Sequence, residues 1–273
     1  VTDDMWLLVA RNLGWENVNL TRFNVVRRLD VVAGNEAKMA AIAQIPGYAT
    51  ERAPFLNVVD RTDSFIYLST DIGIGGAVVR DGEVVMGSHG FAGEIGHLSV
   101  AMDGPLCSCG RHGCLEAFAG RRALVEAAGI AEDGDATSSE AIDMFLQRWR
   151  AGDSDVAKVV DQAADALVSA IASAVNLVDV DTVLLGGLWT HFGDELATVL
   201  EGRLRSEILG YPNVKIRVFV PPVALHPSLW RGRNGLATVH REPVGVHGGE
   251  VAPGDAACCW RVHGMGAWRA CRH

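Results

Sequence analysis

Cys107-Ser108-Cys109-Gly110-Arg111-His112-Gly113-Cys114-Leu115-Glu116, preceded by Glu94-Ile95-Gly96-His97, is the stretch from which the rest of this chain is read. Three thiols fall within eight residues, with glycines at 110 and 113 between them and a histidine ten residues before the first. A structural zinc takes four soft or borderline ligands in a closed tetrahedron, and Cys3His is one of the standard sets. Glycine tolerates the backbone conformations that turn a short loop back on itself. The spacing therefore points to a zinc site made of His97, Cys107, Cys109 and Cys114. The plainer alternative, three free core cysteines and a surface histidine, fits poorly with thiols set between glycines.

Outward from that loop the chain alternates strands, glycine turns and helices. Phe65-Ile66-Tyr67-Leu68 reads as a buried strand running into the glycine loop Asp71-Ile72-Gly73-Ile74-Gly75-Gly76. Ala77–Val79 and Glu83–Val85 flank Asp81-Gly82, a hairpin signal. From about 156 to 178, Val159, Val160, Ala163, Ala164, Leu167, Ile171 and Val175 share one helical face. Asp181–Leu185 is then a strand closed by Gly186-Gly187, and Lys215–Val220 a further one. Nearer the start, Val31 and Val32 look like strand. Asn35 reads as the N-cap of an alanine-rich helix, with Glu36 in its first turn. Glu132–Glu140 reads as a polar loop. This alternation argues for α/β layers.

The 273 residues and 49% hydrophobic content suffice for a sizeable core. No apolar run approaches the ~18 residues of a membrane span, and the start lacks the basic and apolar regions of a secretion signal. Thiols spaced as metal ligands fit a reducing compartment, so a cytoplasmic protein without a membrane partner is expected. The net charge of −9 opposes binding to phosphate backbones by this chain alone.

The run Gly90-Phe91-Ala92-Gly93-Glu94-Ile95-Gly96-His97 together with Cys-x-Cys-Gly-x-x-Gly-Cys-Leu-Glu resembles the signature of the ROK family of repressors and sugar kinases. Ala10–Trp15, Gly34-Asn35-Glu36, Asp71–Gly76 and Val183–Gly187 are similar to other segments of that family, from about residue 8 to 226. The resemblance implies a ribonuclease-H-like (actin-like ATPase) two-lobe α/β fold. Residues 1–60 would be a remnant of the N-terminal lobe, and 61–226 the C-terminal lobe with the zinc loop. It also implies a small sugar or amino sugar as ligand and a homo-oligomeric state. Sugar hydroxyls need several acceptors and donors at fixed geometry, and the implied set is Asn35, Glu36, Glu94, His97 and Glu116. His97 would bind zinc through one ring nitrogen and face the sugar with the other.

Two departures from the kinase pattern stand out. Glu36 occupies the place of the kinase aspartate, the catalytic base; its longer side chain displaces the carboxylate by about 1 Å, a misplacement that can cost ~10²-fold. Asp71 puts a carboxylate in the phosphate loop, where kinases of the family carry a threonine-glycine pair. The first phosphate hairpin of the family and a helix-turn-helix are both missing from these residues. The expectation is therefore a sugar-binding effector domain of a ROK transcriptional regulator, lacking its DNA-binding module in this chain. The alternative is an ATP- and Mg2+-dependent, glucokinase-like sugar kinase. In that case Gly73, Gly75, Gly76, Gly186 and Gly187 would line the nucleotide.

Residues 227–273 break the pattern. They hold six arginines, no lysine and three acidic residues, along with three of the six cysteines. No helical or strand periodicity is expected there. An out-of-frame translation accounts for such a composition, and so does a disordered or metal-binding extension built on Cys258, Cys259, His263, Cys271 and His273.

Overall fold

In the computed structural model, β3 (Phe65–Thr70) is the spine of a mixed five-stranded sheet. The structure describes residues 1, 5–10, 14–29, 34–45, 59–60, 63–131 and 133–220, with four short segments beyond 228. Val31 and Val32 lie outside them. The described chain divides into two compact units. One comprises residues 1–61, 86–90 and 225–273; the other comprises 62–85 and 91–224.

In the first unit, β1 (Trp6–Ala10) and β2 (Trp15–Asn19) form an antiparallel hairpin. They are followed by the helices α1 (Asn24–Leu29) and α2 (Glu36–Gln44). Asn35 caps α2 as its sequence indicates, its Oδ1 accepting the Lys38 N–H at 3.2 Å. Lys38 is buried, its ammonium donating to the Met86 and Gly90 carbonyls.

In the second unit, β3 runs antiparallel to β4 (Ile74–Arg80), and β4 to β5 (Glu83–Val84). Asp81 and Gly82 both have positive φ, the conformation that a two-residue hairpin turn demands. On its other side β3 runs parallel to β6 (Thr182–Gly187), and β6 to β7 (Arg217–Phe219). The strand order is β5-β4-β3-β6-β7. The short helices α3 (Glu116–Ala119) and α4 (Arg121–Ala127) follow the thiol loop, then α5 (Ser139–Arg150).

The long helix α6 (Ser154–Val178) buries all seven residues of the stripe read from the sequence. They pack with Ile66, Leu68, Val183 and Leu185 of the sheet in one apolar cluster. Asp153 caps α6, accepting the N–H groups of Asp155 and Val156, and pairs with Arg148 at 2.7 Å. The Arg148 hydrogen bond and the Val156 N–H hold its carboxyl down at about 2. After β6, α7 (Gly193–Leu204) lies against α6 and β7.

Two readings are corrected. The stretch expected as a polar loop holds a 3-10 helix over Asp133–Thr137 and the start of α5. Ser138 caps α5 by accepting the Ala141 N–H, so its polar residues mark a helix start. Residues 227–273 include four strands: β8 (Leu229–Gly232) pairs with β9 (Gly235–Thr238), and β10 (Trp260–His263) with β11 (Ala267–Ala270). Leu229, Trp230, Trp260, Val262 and Trp268 are strand formers, and a four-residue hairpin arm is too short for periodicity to reveal. Cys258, Cys259, Cys271 and His273 lie outside the described residues.

Candidate metal and ligand site

Two backbone turns bring the thiols together. Leu98–Val100 lies antiparallel to Gly113–Leu115: the Leu115 N–H donates to the Leu98 carbonyl, and the Val100 N–H to the Gly113 carbonyl. That ladder sets Cys114 beside the 3-10 turn Ile95–His97. Within the loop, the Cys107 N–H donates to the Arg111 carbonyl, and the Gly110 N–H to the Cys107 carbonyl. The loop therefore folds back on itself and points its sulfurs inward. Gly113 has φ +70°, and a β-carbon there would overlap the Ala101 carbonyl, so no other residue fits.

The result is a cluster of His97, Cys107, Cys109 and Cys114 whose ligand atoms all lie within 4.8 Å of one another. The Cys109 and Cys114 sulfurs are 3.7 Å apart, and the Cys107 sulfur is 3.7 Å from His97 Nδ1. A disulfide needs about 2.05 Å, so these are free thiols. Metal–sulfur bonds of about 2.3 Å at the tetrahedral angle set sulfur–sulfur edges of about 3.8 Å. The Cys109–Cys114 and Cys107–His97 separations match that edge, and the four donors stay within 4.8 Å of one another. Burial pushes the Cys107 thiol up and the Cys114 thiol to about 12. Burial acts on Cys109 too, but the Arg111 N–H, the neighbouring thiols and the Arg111 charge leave it below its ordinary value. Buried sulfurs of this kind keep their protons until a cation displaces them.

With Nδ1 turned to the sulfurs, Nε2 of His97 is the nitrogen left for another partner. Arg111 and His112 are exposed and stand outside the cluster. They still brace it: Arg111 donates to the His97 carbonyl at 3.3 Å, and His112 Nδ1 lies 3.1 Å from the Gly104 carbonyl.

Glu116 links this loop to the glycine loop. Its Oε2 accepts the Ile74 N–H at 3.0 Å, and its Oε1 accepts the Ser108 hydroxyl at 2.9 Å. A β-carbon on Gly73 would overlap Oε2, so only glycine lets the carboxylate come this close. Asp71 lies 3.5 Å from the buried guanidinium of Arg121, which also donates to the Ser138 carbonyl. Gly75 and Gly76 lie in β4, opposite Ser69 and Leu68. Gly186 is packed under the Tyr67 hydroxyl and Gly187 against the Thr70 carbonyl.

Glu94 precedes the 3-10 turn and is half-buried, as are His97 and Glu116. Glu94, His97 and Glu116 thus share one unit with the thiols. Asn35 and Glu36 belong to the other unit, at the start of α2. Sequence reasoning missed Ser108 and Arg121. The first is an unremarkable spacer between cysteines, and the second is an arginine in an arginine pair; neither carries a motif of its own.

A mixed α/β sheet thus carries a Cys3His cluster next to a glycine loop. The ROK family model matches residues 2–238, and the chain belongs to that family. It is 29% identical over 228 residues to the xylose repressor of Caldicellulosiruptor bescii, covering 78% of this chain and 54% of the repressor. It is 31% identical over 180 residues to the N-acetylmannosamine kinase of Salmonella typhi, covering 66% of this chain and 57% of the kinase. The chain spans about half the length of these curated relatives. Its fold matches a ROK family glucokinase from Streptomyces griseus, solved with glucose and AMPPNP, at a TM-score of 0.63 and 24% identity, over 81% of this chain and 73% of that one. The fold is therefore that of the actin-like, ribonuclease-H-like ATPases. Among the described residues, no helix is long and apolar enough to cross a membrane.

Proposed function

We propose that this chain is the sugar-binding effector part of a ROK-family transcriptional regulator, with a structural zinc in the Cys3His cluster. The observation that carries the reading is the bond from the Ile74 N–H to Glu116. A glycine loop that holds a nucleotide keeps its N–H groups, and the space above them, for phosphate oxygens. Here the Ile74 N–H goes to a carboxylate of the same chain, and that carboxylate fills the space over Gly73. Asp71 adds a second negative charge at the loop, itself paired with Arg121. The glycine loop is served from within, and a nucleotide phosphate would meet two carboxylates there.

Zinc is the assignment for the donor set because three thiols and an imidazole at tetrahedral spacing suit it. Bound there, it would fix the loop and take no part in chemistry, since its four protein ligands close the shell. Its imidazole ligand would present Nε2 to a sugar hydroxyl, with Glu94 and Glu116 beside it as acceptors. The contacts of Asn35 and Glu36 with the sugar rest on the family resemblance. A small sugar or amino sugar is the ligand class, in line with the names of the two relatives. A homo-oligomer in the cytoplasm remains part of this proposal, and operator binding is assigned to another segment, because a net charge of −9 opposes it here.

The second reading, an ATP- and Mg2+-dependent sugar kinase, is favoured by the 31% identity to a kinase. Under it Glu36 is the catalytic base, and Gly73, Gly75, Gly76, Gly186 and Gly187 face the nucleotide. A coupled ADP-release assay with glucose, xylose, N-acetylglucosamine and N-acetylmannosamine, run beside calorimetry with the same sugars, separates the two. Binding without ADP release supports the effector reading. Turnover above about 1 s⁻¹, the ordinary range of enzymes, overturns it.

A further inference from the structure

We propose that Ser108 is a positioning residue for sugar recognition: its hydroxyl fixes the rotamer of Glu116 across the metal loop and the glycine loop. The inference deepens the effector reading and rests on it for the sugar, but its geometry stands without one. Glu116 opens a four-residue helix, and its side chain has three rotatable bonds to settle. Two close donors settle them, with the Cys107 thiol a longer third at 3.8 Å from Oε1. Ser108 Oγ reaches Oε1 at 2.9 Å, and the Ile74 N–H reaches Oε2 at 3.0 Å. Hydrogen bonds to a charged acceptor are the stronger kind. Each carboxylate oxygen accepts two bonds; Oε1 already faces the Ser108 hydroxyl and, at 3.8 Å, the Cys107 thiol, so Oε2 keeps capacity for a sugar hydroxyl while being aimed by the protein.

Ser108 is suited to the task by its place. It stands between Cys107 and Cys109, two members of the metal cluster, and its backbone is held in the turn closed by the Cys107 and Gly110 N–H groups. A side chain of one carbon and one oxygen on a fixed backbone delivers its donor with little freedom to lose. The order held by the loop is thereby passed to the carboxylate, and through it to the Asp71–Ile74 turn. Without the hydroxyl, Oε1 would keep only the long, weak contact from the Cys107 thiol at 3.8 Å, and binding would have to pay for ordering it.

The test compares the intact chain with Ser108→Ala and Ser108→Thr; the threonine restores the hydroxyl. Two readouts are taken: hydrogen–deuterium exchange resolved at the Ile74 amide, and calorimetry with glucose, xylose, N-acetylglucosamine and N-acetylmannosamine. In the sugar-free protein, Ser108→Ala should speed Ile74 exchange about tenfold, while Ser108→Thr stays near the unaltered chain. The Kd of whichever sugar binds should rise about three- to tenfold in the alanine variant alone. Unchanged Ile74 exchange in Ser108→Ala overturns the proposal, and so does equal acceleration in alanine and threonine. If no sugar binds the unaltered chain, the effector reading falls, and the exchange rates still judge Ser108.

Discussion

Asp71 and Arg121 meet at 3.5 Å where β3 ends, joining a half-exposed carboxylate to a buried guanidinium. The pair sits at the first residue of the glycine loop, and Glu116 holds the Ile74 amide further along it. Removing either partner has unequal consequences. Arg121→Ala takes away the donor to Ser138 as well as the ion pair. Asp71→Ala leaves a buried cation with less compensation, discounted because the carboxylate side is partly solvated. Denaturant unfolding should show a loss of about 1–2 kcal/mol for Asp71→Ala and a larger one for Arg121→Ala.

Metal content gives the second prediction. Elemental analysis of cleanly purified protein should find one zinc per chain. Cys109→Ser and His97→Ala should each lose it and melt at lower temperature, because metal affinity and folding are linked. A chelator should lower the melting temperature of the unaltered chain and leave that of Cys109→Ser where it is. Zinc-free protein with an unchanged melt would refute the clip.

Gly73 gives the third. Alanine there collides with the Glu116 carboxylate, and the flexible end of a glutamate moves more easily than backbone. Stability should fall by no more than about 1–3 kcal/mol. Sugar affinity should fall further than it does on alanine substitution of Gly129, whose surroundings are open. Calorimetry beside thermal melts separates the two effects.

Acid sensitivity is the fourth. Asp153 sits at about 2 in the fold against an ordinary value near 3.8. A carboxyl held below its unfolded value stabilises the fold above about pH 4, and that contribution drains away as pH falls through 2. Asp153→Asn should therefore melt below the unaltered chain at pH 6, and the gap should close between pH 4 and 2. A gap constant with pH would show that the carboxylate charge is not what α6 uses.

Much of this was legible in the sequence for stated reasons. The metal cluster is encoded locally, since four donors within eighteen residues leave few ways to fold. The α6 stripe was legible because 25 residues at helical period leave no rival reading. The Ser108–Glu116–Ile74 bridge was not, since it joins residues 42 positions apart through a glycine whose value lies in what it lacks. Ser138 was misread because serine favours both turns and helix caps, and only the backbone beyond it tells them apart. The roles of Asn35 and Glu36 beside a sugar stay with the family resemblance.

All four thiol and imidazole donors, and the carboxylate they steady, come from residues 94–116 of a single unit. The clip is thus a self-contained cassette. Grafted between the matching strands of a related protein, that segment should bring its four donors along with it, and its carboxylate stays aimed wherever the host offers a backbone N–H at the place of Ile74.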